Sequence, residues 1–228
     1  MELTDLICGH RMSLLVSLPA NDPELARAAV AGGAHALKVH MNVDHRASGT
    51  HFGTLAEERP ALEQIRQAAG SLPVGLVAGG SATVPASEIA GAMDLGFRTF
   101  SMYAHHMPAA WFGIEGAAFM LAPGYSYTLD EIAALGRLPI ALLEASVIQP
   151  DGYGQPLTAL DLAWYRGIAD RVRQPVVVPS QRRLVPEDVP ALASAGVRAV
   201  MIGAVVTGHT ADTIYAATAA FRQAVEQV

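Results

Sequence analysis

Short apolar runs alternate with longer amphipathic stretches along the whole chain. The runs predict strands at 13–19, 35–42, 73–79, 97–105, 118–124, 140–146, 175–180 and 199–205. Between them, stretches such as "LAEERPALEQIRQAAG" and "ADTIYAATAAFRQAVEQV" repeat apolar residues at helical spacing. Several end in glycine, which suits a helix C-terminus. Strand–helix alternation makes a parallel sheet, because each parallel strand needs a crossover before the next. Eight units in 228 residues give about 28 residues each, the size of a compact (β/α)8 TIM barrel. The fourth unit is irregular, since "HMPAAWFGIEG" is short and poorly periodic for a crossover helix. A doubly wound open sheet is the competing architecture. However, "SLPANDPE" follows the first strand where that fold carries Gly-x-Gly-x-x-Gly. No linker or low-complexity tract divides the chain, so residues 1–228 read as one α/β domain.

The alternation within strands carries the chemistry, because every second residue shares a face. In the second strand Leu37, Val39 and Met41 form an apolar face, which leaves Lys38, His40 and Asn42 on the other. The fourth strand sets Thr99, Ser101, Tyr103 and His105 opposite Phe100 and Met102, and the sixth sets Leu142, Glu144 and Ser146 together. The first and seventh strands add Ser17 and Ser180. These polar residues fall toward the C-terminal ends of their strands, the end at which TIM-barrel enzymes build active sites. Parallel strands are normally buried on both faces, so polar residues there call for a reason.

Composition sharpens this picture at one residue. Of 15 basic residues only Lys38 is lysine. Arginine stays protonated and reacts poorly, whereas a desolvated lysine can serve as acid, base or Schiff-base amine. Glu144 lies four strands away, on the opposite wall of an eight-stranded ring, so the two are expected to bracket a small substrate. The structural alternative is a buried lysine satisfied by Glu144. His40, His105 and Tyr103 are the further catalytic candidates. Ser17, Asn42, Ser101 and Ser146 are candidate substrate contacts.

A phosphate is expected at the loops after strands seven and eight, where such barrels offer backbone amides and a short helix. Gly203 permits close approach and Ala204 can begin that helix, while "PSQRR" contributes Ser180 and an arginine clamp from Arg182 or Arg183. No cofactor is called for. A divalent cation held by His40, His105 and Asp44 is the alternative reading, although no short-spaced ligand motif supports it. "QPDGYGQP" (149–156) reads as a mobile lid or an ordinary loop, and Tyr125 and Tyr127 as part of the mouth or the core.

The remaining arithmetic excludes other classes. Hydrophobic residues make up 51% and charged residues 16%, against roughly 25% charged in average proteins, which rules out disorder. A net charge of −6 without a basic cluster argues against nucleic acid. No apolar run approaches the ~20 residues of a membrane span, and the start lacks a signal-peptide pattern. The one cysteine, Cys8, has no internal partner and calls for no oxidising compartment. A cytoplasmic enzyme for a small phosphorylated molecule, able to pair as a homodimer, is the expectation.

The start, "LLVSLPANDPELARAAVAGGAHALKVH", and the end, "DVPALASAGVRAVMIGAVVTG", resemble the ribulose-phosphate-binding barrels, and within them the N-acetylmannosamine-6-phosphate 2-epimerases. That likeness implies a TIM barrel, a phosphorylated substrate and proton transfer next to a carbonyl. It departs at the third strand, where "GLVAGGS" lacks that family's catalytic lysine, and at strand seven, where the acid-glycine signature is missing. Lys38 stands where that family has an arginine. "GGAHALKVH" is also similar to the (5-formylfuran-3-yl)methyl phosphate synthases, which implies a Schiff base at Lys38, although Ala36 replaces their aspartate. "LLEASVIQPDGYGQP" weakly resembles the prenylglyceryl phosphate synthases. Three functions therefore compete. They are an isomerase or epimerase using Lys38 and Glu144 as acid and base, a Schiff-base lyase or aldolase, and a barrel that only binds a ligand or partner.

Overall fold

The computed structural model describes residues 2–228. The chain opens with α1 (Leu3–Gly9), β1 (Ser13–Ser17), α2 (Pro23–Ala31) and β2 (Ala36–His40). A small hairpin of β3 (Val43–His45) and β4 (Thr50–Phe52) follows before α3 (Leu55–Ala69). Next come β5 (Val74–Val77), α4 (Ala86–Asp94), β6 (Thr99–Tyr103), β7 (Ala118–Ala122), α5 (Leu129–Leu135) and β8 (Leu142–Glu144). The last part holds α6 (Ala159–Ala169), β9 (Val176–Pro179), α7 (Val189–Ser194), β10 (Ala199–Ile202), α8 (Ala204–Thr207) and α9 (Ala211–Val225). Strands β1, β2, β5, β6, β7, β8, β9 and β10 pair in that order, all parallel, and β10 returns to β1 to close the barrel. The expected TIM-barrel architecture is therefore the one observed.

Local chemistry accounts for the helices. Thr54, Thr128 and Thr158 each cap a helix whose third residue, Glu57, Glu131 or Asp161, reaches back to the cap amide. Such reciprocal caps satisfy donors that a helix start would otherwise leave unpaired, each worth about 1 kcal/mol. Asp22 caps α2 just before Pro23, whose missing N–H costs nothing at a first turn. The irregular fourth unit is real: a 3-10 turn over Ala109–Gly113, with Trp111 buried in the core, stands where a helix would.

Two elements differ from the sequence reading. Helix α1 plugs the N-terminal end of the barrel, with Leu3, Leu6 and Ile7 packed against Leu15, Met120, Leu142 and Met201. The hairpin projects at the opposite end. Asn42 adopts φ 54°, a left-handed conformation that asparagine tolerates, and turns the chain out of β2. Its amide donates to the Gly53 carbonyl at 2.7 Å and closes the hairpin base. Buried Phe52 then stacks on the His40 ring, centroids 4.6 Å apart. Among the described residues no helix is long and apolar enough to cross a membrane.

Candidate active site

A cavity of about 740 Å³ opens at the C-terminal ends of the barrel strands. At its floor, Lys38 of β2 and Glu144 of β8 reach in from opposite walls, and Lys38 Nζ donates to Glu144 Oε2 at 2.5 Å. The two side chains therefore touch directly across the barrel, the contact described by the alternative in which a buried lysine is satisfied by Glu144. Ser101 Oγ donates to the same carboxylate oxygen at 2.9 Å, and Ser146 Oγ donates to Oε1 at 3.1 Å. Burial pushes the Glu144 carboxyl up, but the Lys38 ammonium and the bonds from Lys38, Ser101 and Ser146 outweigh it. The group is held below the usual carboxylate range, so Glu144 is a carboxylate near neutral pH. Taking two charges out of water is costly unless remaining lone pairs are satisfied, and the two serines do that here.

Two imidazoles stand beside this pair. His40, at the end of β2, is about 1% exposed, its Nε2 is 3.5 Å from Ser17 Oγ, and its Nδ1 has no partner among the described residues. Burial, reinforced by His45 and the Lys38 charge, holds its pKa well below the ordinary value. His45, from the hairpin, stacks on His40 with centroids 4.5 Å apart and shares a hydrogen bond of 2.8 Å between Nδ1 and Ser48 Oγ. Burial and then the Lys38 charge lower it to about 4, against a smaller opposing pull from Glu144. Both rings are therefore neutral near pH 7, able to donate or accept a proton without carrying charge.

Tyr103 ends β6 and faces the cavity. Burial first, then nearby Tyr153 and Glu144, raise its phenol pKa, so it stays protonated. His105 lies past the strand, in an exposed turn, where it pairs with Tyr127 Oη at 3.2 Å. It lines the mouth with Tyr125 rather than standing beside Lys38. The strand ends at Tyr103, so the inward alternation expected to carry His105 stops two residues short.

Ser17, Asn42, Ser101, Ser146, Ser180, Gly203 and Ala204 all line the cavity. The Asn42 amide group is committed to Ala78 O and Glu88 Oε2. Ser180 Oγ accepts the Gly203 amide at 2.8 Å, fixing the start of α8. Among the described residues, the amides of Ala204 and Val205 have no acceptor in the protein.

Arg182 corrects the sequence reading. Its guanidinium turns away from the cavity, donating to buried Asp161 Oδ1 at 3.0 Å and to Gly152 O at 3.0 Å. Arg183 is exposed and also lies outside the cavity lining. The 149–156 segment is no loose lid either. Gln181 Nε2 donates to Tyr153 Oη at 2.6 Å, Gln181 Oε1 accepts from the Ile148 amide, and the Gly154 and Arg183 amides add backbone bonds. Nor does the cation constellation form: Asp44 pairs with His51 at 2.7 Å on the hairpin's exposed side. Among the described residues no three His, Cys, Asp or Glu side chains gather to hold a metal.

His45, Arg46, Tyr153 and Gln181 line the cavity without having been singled out as site residues. For the first two a signal existed, because "VDH" and "THF" alternate around the turn-forming "RASG". Tyr153 and Gln181 carry no local signal.

No protein-family model matches the chain, and no curated protein sequence is similar to it. Solved structures are similar in fold. Thiamine phosphate pyrophosphorylase from Pyrococcus furiosus has a TM-score of 0.69 at 17% identity, over 96% of this chain and 97% of that one. The tryptophan synthase α-subunit of Pyrococcus furiosus has a TM-score of 0.70 at 15% identity, over 92% and 98%. Tryptophan synthase of Mycobacterium tuberculosis has a TM-score of 0.75 at 14% identity, over 98% of both chains. At these identities the likeness shows the barrel fold.

Proposed function

We propose that this protein is an enzyme of the isomerase or epimerase class, moving a proton at the carbon next to a carbonyl of a small phosphorylated, sugar-like substrate. The observation that carries the reading is the buried Lys38–Glu144 pair at the floor of the cavity, with Glu144 further held by Ser101 and Ser146. A substrate carbonyl that takes over the Lys38 hydrogen bond separates the pair. Glu144, deprived of its ammonium partner in a buried site, becomes a stronger base. It then removes the proton from the adjacent carbon, while Lys38 gives a proton to the oxygen as the enol forms. The proton returned to carbon yields the isomer or epimer. In this reading neutral His40 shares the oxygen's charge and protonated Tyr103 donates a hydrogen bond, a reading supported by both lining the cavity.

For the phosphate, the unpaired amides of Ala204 and Val205 and the ordered Ser180–Gly203 contact supply the anchor. The resemblance to the N-acetylmannosamine-6-phosphate 2-epimerases and the similar fold of thiamine phosphate pyrophosphorylase support a phosphorylated substrate.

A second reading has its own support. Lys38 Nζ touches a carboxylate able to accept its proton, and the free amine so formed can attack a carbonyl as a Schiff-base nucleophile. One experiment separates the two. Wild-type protein is incubated in D2O with a panel of phosphorylated aldoses, ketoses and amino sugars, and exchange of carbon-bound hydrogen is followed by NMR. The reading expects exchange on at least one compound, reduced about 10²–10⁴-fold by Glu144→Gln. Exchange unaffected by Glu144→Gln would sink it. Borohydride trapping of the same compound at Lys38 moves the assignment to the lyase or aldolase class.

A further inference from the structure

The strand order of the barrel sets two diameters across the cavity. Strands β2 and β8 face each other, which is why Lys38 and Glu144 meet, and β10 faces β6 on the other diameter. The Gly203 loop therefore stands opposite the rim built after β6 and β7. That rim is a cluster of rings. His105, exposed at the cavity mouth, stacks on Tyr103 with centroids 5.3 Å apart and planes 25° apart. It meets His106 edge-on at 4.3 Å and lies 6.1 Å from the Tyr127 ring. The 3.2 Å hydrogen bond between His105 Nδ1 and Tyr127 Oη fixes the orientation of its plane. Gly124 leaves both rings uncovered on its side: a Cβ there would lie 3.6 Å from Tyr127 Cδ1 and 3.7 Å from His105 Cε1.

Charge is missing from this sector. The cavity-lining residues between 101 and 126 include no Lys, Arg, Asp or Glu. Burial, then the charge of His105, lowers the His106 pKa, so that ring is neutral near pH 7. The space is also larger than a bare sugar phosphate on the Lys38–Glu144 floor requires. At about 740 Å³ the cavity falls in the upper part of the range, about 300–1,000 Å³, that encloses drug-sized ligands. From the ring cluster, its fixed geometry and its place opposite the Gly203 loop, we infer that the β6–β7 rim is a stacking subsite. The substrate then carries a planar aromatic or heterocyclic group at the end away from its phosphate. A preformed, uncharged set of π-faces favours a flat ring over a puckered one of the same size, and little ordering cost is left to offset the gain. This rests on the reading above that the Gly203 loop takes a phosphate, and it narrows the substrate class to phosphorylated molecules with a flat end.

Binding to the full chain tests it, with two pairs of probes that differ only in whether the ring is flat. They are phenyl against cyclohexyl phosphate, and 3-phenylpropyl against 3-cyclohexylpropyl phosphate. Propyl phosphate is the ring-free reference and 3-phenylpropanol the phosphate-free one. In wild-type protein the flat member of at least one pair should bind about threefold tighter or more, the scale of one aromatic contact. His105→Ala should abolish that gain and leave the affinity for propyl phosphate within about twofold, while a thermal midpoint within about 2 °C of wild type reports intact folding at this exposed position. Flat members no tighter than puckered ones in both pairs, or a gain that survives His105→Ala, overturns this inference while binding of propyl phosphate keeps the phosphate reading. If 3-phenylpropanol binds as tightly as its phosphate and His105→Ala weakens it, the Gly203 phosphate reading falls and this one stands. If no probe binds at millimolar concentration, both fall.

Discussion

The two ends of the barrel are built from the same eight strands and put them to opposite uses. At the N-terminal end, the strands turn Leu15, Met120, Leu142 and Met201 toward the axis, and α1 seals them with Leu3, Leu6 and Ile7. At the C-terminal end the inward residues become Ser17, Lys38, Ser101 and Glu144, and the closing element is a polar hairpin instead of an apolar helix. Only one or two residues along a strand separate the regimes: Leu142 belongs to the sealed end and Glu144 to the open one. Burial supplies stability below, while polar groups above carry a desolvation cost that a stability requirement alone does not explain.

That contrast can be broken from the top. Replacing the buried pair by apolar groups, Lys38→Met with Glu144→Leu, should abolish proton exchange, a loss of about 10²–10⁴-fold or more. The same double variant should unfold in urea at unchanged stability, or with a gain of about 1–4 kcal/mol, because a buried ion pair repays its desolvation poorly. A large loss of stability would assign the pair to the scaffold. The Arg182–Asp161 contact should behave in the reverse sense. Arg182→Met leaves Asp161 buried without its partner and should cost about 3 kcal/mol in urea unfolding, with phosphate-ester affinity unchanged. At the sealed end, Ile7→Ala should cost about 2–5 kcal/mol and leave turnover per folded molecule intact.

The smallest effect is read by pH and draws on one histidine at each end. His35, near the sealed end, accepts the Leu14 amide through Nδ1 at 2.9 Å. Burial, then the charges of Arg222 and His10, lower its pKa to about 4 against an opposing pull from Glu226. A histidine depressed in the folded state contributes stability that is complete above its unfolded value near 6.5 and is lost as pH falls toward 4. The thermal midpoint should therefore drop by several degrees between pH 6.5 and 4. His35→Gln, which can still accept the Leu14 amide but does not titrate, should flatten part of that slope. His45, lowered to about 4 by burial and Lys38, should account for a further part, and His45→Gln should remove it.

The alternation of apolar and polar residues made the barrel and much of its floor legible in sequence. Lys38, Ser101 and Glu144, with Ser146 just past its strand, converge because inward-facing positions on alternate strands of a closed ring share one layer. What escaped had no periodic signature. Helix α1 spans only seven residues, and its role depends on the strands it covers. Arg182 and Arg183 look equivalent in sequence, but Asp161, 21 residues earlier, captures Arg182. The 149–156 segment reads as loose from its glycines and prolines, whereas its anchor, Gln181, belongs to a different βα loop. His105 falls two residues beyond the end of β6, because strand ends are set by pairing partners and β6 stops with Ala122 of β7 at Tyr103.

The bond from the Asn42 amide to the Gly53 carbonyl has a bearing on how this protein changes over evolutionary or laboratory time. It brings the two ends of residues 43–52 together at the rim, so the turn over residues 46–49 can be exchanged or lengthened while His45 and Phe52 keep their places against His40 and Thr50 its bond to Pro19. The turn can therefore vary while the Lys38–Glu144 floor and the sealed base stay as they are. Loop grafting at this junction is the natural first place to redirect the protein toward other molecules.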